Sequence, residues 1–197
     1  MPPIVKAILA RLQKELSPEL TYHNSAHTKD VINEATLLAR HDQLGTREIE
    51  LLTVAAAYHD AGYLVQAVDN EGIGAELAQA AMLKDGDFKH DEIELVMQMI
   101  LDTKVNPDSS APITTPTHKL SGYLLDADLA NFGRDDFFEK KDLYCREVGE
   151  EPSENDRQAL QLLERHRWWT PAARGLLEKK KQENLVRLRK IVHGETV

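Results

Sequence analysis

The sequence is short of cysteine, of positive charge and of long apolar runs, and each shortage excludes a class of protein. A single cysteine, Cys145, allows no internal disulfide and fits a reducing compartment. The chain has 24 Lys and Arg against 33 Asp and Glu, a formal net charge of −9. A sequence-blind nucleic-acid binder needs a basic face to displace counterions, so that class is not expected. A small phosphorylated substrate remains compatible, because a bound cation can supply local positive charge. No apolar run reaches the ~18 residues of a membrane span. The opening Met1-Pro2-Pro3-Ile4-Val5-Lys6 lacks the charged start and apolar core of a secretory leader. The expected setting is the cytoplasm. Strand patterning is missing too: apolar and polar residues never alternate for long, and β-branched runs are absent.

The 197 residues are enough for one domain with a sizeable core, and their 42% hydrophobic and 29% charged content is that of a globular chain. Helical spacing predicts a first helix over 3–16, stopped by Ser17-Pro18. Asn24 or Ser25 is placed to cap a second, over 26–42. A third begins at Thr46. Gly62 is expected to release the chain from it, and Glu71-Gly72-Ile73-Gly74 to be loop before an Ala-rich fourth helix over 75–84. A fifth opens at Asp87 or His90, with His90-Asp91 expected to cap it. Residues 104–116 are rich in Pro, Ser and Thr and form the longest loop, a length common among lids and binding loops. A sixth helix is expected over 117–131, a seventh over 134–148, and two more over 153–192, divided near Trp168-Trp169-Thr170-Pro171. These tryptophans are expected to anchor the last helix. Its basic residues, including Lys179-Lys180-Lys181, are expected to be a solvated face. The expected fold class is all-α, a single-domain helical bundle without internal repeat or linker.

The third helix carries the stretch around which the chemistry gathers. Leu51-Leu52-Thr53-Val54-Ala55-Ala56-Ala57-Tyr58 is core-type sequence that ends abruptly in His59-Asp60. Buried polar neighbours cost several kcal/mol, about 2–7 for a group left without a partner. A divalent cation would pair both at once. The same anomaly recurs at Leu124-Leu125-Asp126-Ala127-Asp128-Leu129-Ala130, where two acids interrupt an apolar run. His27, at the start of the second helix, is a further candidate. Positions 126 and 128 lie about 200° apart on a helix, so both cannot easily face one ion. Asp126 is better read as a partner of a neighbouring helix, or as support for a ligand.

The ordered set His27, His59-Asp60 and a distant Asp128, on an all-α chain, resembles the HD superfamily of metal-dependent phosphohydrolases. Tyr22-His23-Asn24, with His27 and Asp30-Val31 beyond it, is similar to the opening motif of the cyclic-nucleotide phosphodiesterases in that superfamily. Asp126-Ala127-Asp128-Leu129-Ala130-Asn131-Phe132-Gly133 resembles the closing motif of its small bacterial members. The likeness spans about residues 20–133, an HD core, and leaves 134–197 as a C-terminal helical extension.

The resemblance implies His27, His59, Asp60 and Asp128 as ligands of a divalent ion (Mn, Fe, Mg, Zn, Ni or Co), the Ala-Asp-Leu pattern selecting Asp128. It implies catalytic roles for Asp60 and for His23, the latter as proton donor to the leaving oxygen. The implied reaction is hydrolysis of a phosphate ester of a small metabolite, a nucleotide being the expected class, by metal-activated water. Lys29, Lys104, His118 and Lys119 are candidate phosphate holders. The competing reading is a regulatory module that binds a metal or nucleotide with little turnover.

Overall fold

The computed structural model describes residues 1–106 and 110–194. Nine α-helices make up the chain among these residues: α1 Pro3–Glu15, α2 Ser25–His41, α3 Thr46–Tyr58, α4 Asn70–Asp85, α5 His90–Leu101, α6 Lys119–Asp128, α7 Phe137–Val148, α8 Pro152–Arg165 and α9 Pro171–His193. Short 3-10 turns at Ala61–Leu64 and Ala130–Gly133 follow α3 and α6. No strand occurs among the described residues, so the fold is the expected all-α domain. No described helix is long and apolar enough to cross a membrane.

α3 is the central rod. It packs against α1, α2, α4, α5 and α6. Leu51 to Tyr58 are all buried, which explains why this helix is apolar on every side instead of along one stripe. Burial of both flanks forces the two polar residues at its end into the interior. α2 starts where Asn24 accepts hydrogen bonds from the backbone of Ala26 and His27, so the cap also fixes the turn that carries His27.

Several boundaries differ from the expectations for physical reasons. Glu71-Gly72-Ile73-Gly74 is not loop but the first turns of α4, which begins at Asn70. Two glycines there mislead a propensity reading, yet Gly74 serves packing: a Cβ on it would lie 2.5 Å from the Tyr58 carbonyl oxygen. Gly62 does not act through left-handed backbone. Its constraint is space, since a Cβ would meet the Asn70 carbonyl oxygen at 2.0 Å. α6 is shorter than expected and tightens into its 3-10 turn after Asp128. Lys89 occupies the cap position of α5, its N–H bonded to the Glu92 carboxylate, and exposed His90 pairs with Glu94 instead of capping.

α8 and α9 pack on each other, and α9 also packs on the 3-10 turn after α6. Trp168 is buried, in agreement with its expected anchoring role. The basic face of α9 is not wholly solvated: Lys181 is buried and donates to the His166 carbonyl at 2.5 Å. The described parts of 104–116 are loop, as expected, and Arg165 of α8 donates to the carbonyls of Asn106 and Ala111 within it.

Candidate metal centre and its cleft

Three ends of helices meet. The start of α2 brings His27, the end of α3 brings His59 and Asp60, and the end of α6 brings Asp128. His27 Nε2 lies 3.4 Å from Asp60 Oδ2 and 3.2 Å from Asp128 Oδ1. His59 Nε2 lies 3.1 Å from Asp60 Oδ2 and 3.4 Å from Asp128 Oδ1. The two Nε2 atoms are 3.4 Å apart. Neighbouring ligands at bonding distances of about 2.1 Å from one ion sit roughly 3 Å apart, and these separations match that spacing.

The protonation pattern also fits a cation. His59 Nδ1 lies 2.8 Å from the Ala56 carbonyl oxygen, which can only accept, so Nδ1 carries the proton. Nε2 is then the nitrogen that faces the Asp60 and Asp128 oxygens, and its lone pair is the one that would be offered to a cation bound among them. A ligating histidine whose other nitrogen donates to a backbone carbonyl is the usual support for such a site. Asp60 Oδ2 is buried and makes no hydrogen bond. His27, His59 and Asp60 form a group able to hold a metal ion, and Asp128 Oδ1 reaches both imidazoles. The mutual field is strong. Burial disfavours a charged His59, yet the Asp60 and Asp128 carboxylates outweigh it and hold its pKa well above the ordinary value. Burial also works against ionised Asp60 and Asp128, and the facing imidazoles hold both below the usual carboxylate range.

Asp126 does not belong to this cluster. It is fully buried and accepts from the Trp169 N–H at 2.8 Å, the Thr170 N–H at 2.8 Å and the Thr170 hydroxyl at 2.7 Å. It joins α6 to the start of α9. Burial pushes its pKa up to about 6, with the three bonds opposing.

A cleft of about 290 Å³ opens beside the cluster. Asp60 and Asp128 line it together with His23, which the α2 entry loop places there. His23 Nδ1 is bonded to Glu147 of α7, whose other oxygen accepts from the backbone N–H groups of Tyr22 and His23 at 2.7 and 2.9 Å. The carboxylate only accepts, so Nδ1 holds a proton and Nε2 is the nitrogen left for the cleft. His23 stacks on Tyr63 at 4.7 Å between ring centres and meets Tyr22 and Tyr144 edge-on. Burial opposes protonation of His23, but the Glu147 bond and the charges of Asp60, Glu147 and Asp128 raise its pKa above the ordinary imidazole value.

None of the four residues expected to hold phosphate lines this cleft among the described residues. Lys29 is exposed on α2, and exposed Lys104 pairs with Asp69 at 3.1 Å. His118 caps α6 by accepting from the Leu120 N–H at 3.1 Å, and with Lys119 it lines a separate cavity of about 450 Å³ beside Trp169. The cations in the cleft are instead Lys140 and Lys141 of α7. Sequence reading missed them, and it missed Glu147 and Arg134 as well. Arg134 binds Asp30, Glu34 and Asp136 and so ties α2 to the segment after α6. The only sequence signal for Lys140 and Lys141 is a pair of adjacent lysines in a helix, which is equally the signature of a solvated face.

No family model matches the chain, and no curated protein does. Solved structures do. The fold is shared with a predicted HD superfamily hydrolase from an uncultured Thermotogales bacterium, at 19% identity and a TM-score of 0.65, over 97% of this chain and 90% of that one. A protein from Lactobacillus plantarum matches at 15% identity and a TM-score of 0.70, over 98% of this chain and 97% of the other. At these identities the likeness is one of fold.

Proposed function

We propose that this chain, folded as HD-superfamily proteins are, is a metal-dependent phosphohydrolase that cleaves a phosphate ester of a small metabolite, a nucleotide being the expected class. The observation that carries the reading is the convergence of His27, His59, Asp60 and Asp128 at the end of an otherwise apolar helix, beside a cleft. These four residues would hold the divalent ion. Such an ion supplies, when bound, activation of the attacking water and positive charge against the phosphoryl oxygens. Lys140 adds positive charge on the α7 wall, where the substrate's phosphate would enter. Lys141 beside it is paired with Asp142 and Asp156 at 2.8 and 2.7 Å, so two carboxylates already offset its charge. His23, aligned by Glu147, would give a proton to the leaving oxygen. Half-buried Tyr22, with Tyr63 and Tyr144, packs its ring against His23 and narrows the space beside it.

A purely structural metal site has no need of an adjoining cleft lined by cations and a histidine–carboxylate pair, which favours turnover over the regulatory-module reading. The test is direct. Purified wild type is expected to bind a divalent ion and to hydrolyse p-nitrophenyl phosphate, bis-p-nitrophenyl phosphate or a nucleotide. His59→Ala combined with Asp60→Ala is expected to abolish both. Metal uptake by wild type without hydrolysis of any ester would favour the regulatory module.

A further inference from the structure

Buried polar atoms in folded proteins are almost always paired, so each one left without a protein partner calls for an explanation, such as an ordered water, an ion or a ligand. Seven such side-chain atoms occur among the described residues, and four belong to residues that line the one cleft: Asp60 Oδ2, Asn70 Oδ1, Asn131 Oδ1 and Asn155 Oδ1. The aspartate is accounted for by the candidate metal centre. The three amides are not. They are 7%, 8% and 2% exposed, respectively, and they reach the cleft from three different parts of the chain: the first turn of α4, the turn after α6, and α8.

Glu150 settles which face Asn155 presents. The Asn155 Nδ2 donates to Glu150 Oε2 at 3.3 Å, and Gln158 Nε2 donates to Glu150 Oε1 at 2.6 Å. A carboxylate only accepts, so both amides turn their nitrogens to Glu150, and Asn155 keeps its buried carbonyl oxygen as the group left over. Gln158 lines the cleft as well. Phe137, Ala159 and Leu162 line the cleft too, so apolar groups are mixed with these amides in its lining. An acceptor in such a place repels phosphate and calls for a hydrogen-bond donor.

We propose that the α8 end of the cleft, built by Asn155 and Gln158 with Asn131, is the specificity pocket for the organic part of the substrate, and that it selects esters bearing hydrogen-bond donors, hydroxyl or amino groups. This rests on the phosphohydrolase reading of the same cleft and extends it. The cleft is then polar in two senses: Lys140 offers it a cation, and the amide oxygens of Asn155 and Asn131 offer it neutral acceptors. A site built to pair with a substrate donor discriminates strongly against an analogue lacking it, because the buried acceptor is then left bare.

The test uses full-length protein with Mn²⁺ and pairs of esters that differ by one donor. Adenosine 5′-monophosphate against its 2′,3′-dideoxy counterpart probes hydroxyl groups. Adenosine against purine riboside 5′-monophosphate probes the amino group. Wild type is expected to favour the donor-bearing member of one pair by about tenfold or more in kcat/KM. Asn155→Leu, of equal size but without the acceptor, is expected to bring that ratio within about twofold. Should Asn155→Leu fail to fold, Asn131→Leu carries the same comparison. Calorimetric binding of the same ligands is measured alongside. Hydrolysis without a donor preference, or with one that survives in the variant, overturns the pocket and leaves the hydrolase. Donor-dependent binding lost in the variant, with no hydrolysis by wild type, overturns the hydrolase and leaves the pocket. Neither binding nor hydrolysis overturns both.

Discussion

At the scale of single residues, the His23–Glu147 pair has a definite pH signature. Its sign follows from two opposite shifts. The folded His23 pKa lies above 6.5, so its contribution to stability is fully present below 6.5 and fades as pH rises through the higher folded value. The folded Glu147 pKa lies below 4.5, because the His23 bond and charge outweigh burial; its contribution is present above 4.5 and fades as pH falls through the lower folded value. The stability difference between wild type and Glu147→Gln is therefore expected to peak between 4.5 and 6.5, as read from urea midpoints across pH. If His23 is the proton donor, the same substitution moves the alkaline limb of the rate profile to lower pH. An unmoved limb would remove His23 from that role.

Asp126 offers a second residue-scale prediction, of stability and not of metal binding. It gathers three donors at 0% exposure, and Asp126→Ala leaves the Trp169 and Thr170 N–H groups without their acceptor. The expected cost is about 2–4 kcal/mol. Thermal unfolding would report the loss, while metal content per folded molecule should stay as in wild type. Loss of the metal alone would show that Asp126 supports the ligands after all.

At the scale of elements, the centre depends on how closely α4 approaches the end of α3. Gly62 lets the Asn70 backbone come where a Cβ would stand at 2.0 Å. A backbone atom cannot swing aside as a flexible side chain can. Gly62→Ala must therefore shift α4 or the 3-10 turn beside Asp60, at an expected cost of about 1–3 kcal/mol. Weaker metal binding is expected with it, since Gly62 lies two residues from Asp60. Titration of the variant with Mn²⁺ checks this: unchanged affinity would mean that the turn yields without moving the ligand.

At the scale of the whole molecule, the candidate centre is also a clasp, because it joins α2, α3 and α6 at one point. An ion bound to the folded state alone adds about 2.7 kcal/mol at one hundred times its dissociation constant. For a domain of this length that corresponds to a rise in Tm of roughly 5–10 °C. Wild type stripped with chelator and then resupplied is expected to show this rise. The His59→Ala, Asp60→Ala double variant should show none.

Most of the fold and the four candidate ligands were readable in order along the chain. Helices with a single apolar stripe, such as α2, declare themselves by spacing. His59-Asp60 declared itself by contrast with the apolar run before it. α4 was misjudged at its start because glycine reads as a breaker, whereas at Gly74 it admits the Tyr58 carbonyl. The cleft was the harder part. Glu147, Lys140, Asn155 and Gln158 sit in amphipathic helices where polar residues are expected anyway, and nothing local separates one facing solvent from one facing a cavity.

The sequence by itself determined the all-α class and the places where charge had to enter the interior, because periodicity and the cost of burying an unpaired charge are local facts. Only the tertiary structure decided which distant groups meet. It sent Asp128 to the imidazoles and Asp126 to Thr170, set Glu147 behind His23, and left three amides of the cleft lining with a buried oxygen that has no protein partner. The direction of a side chain and the identity of its partner depend on how helices far apart in the chain pack, and no window along the chain contains that information.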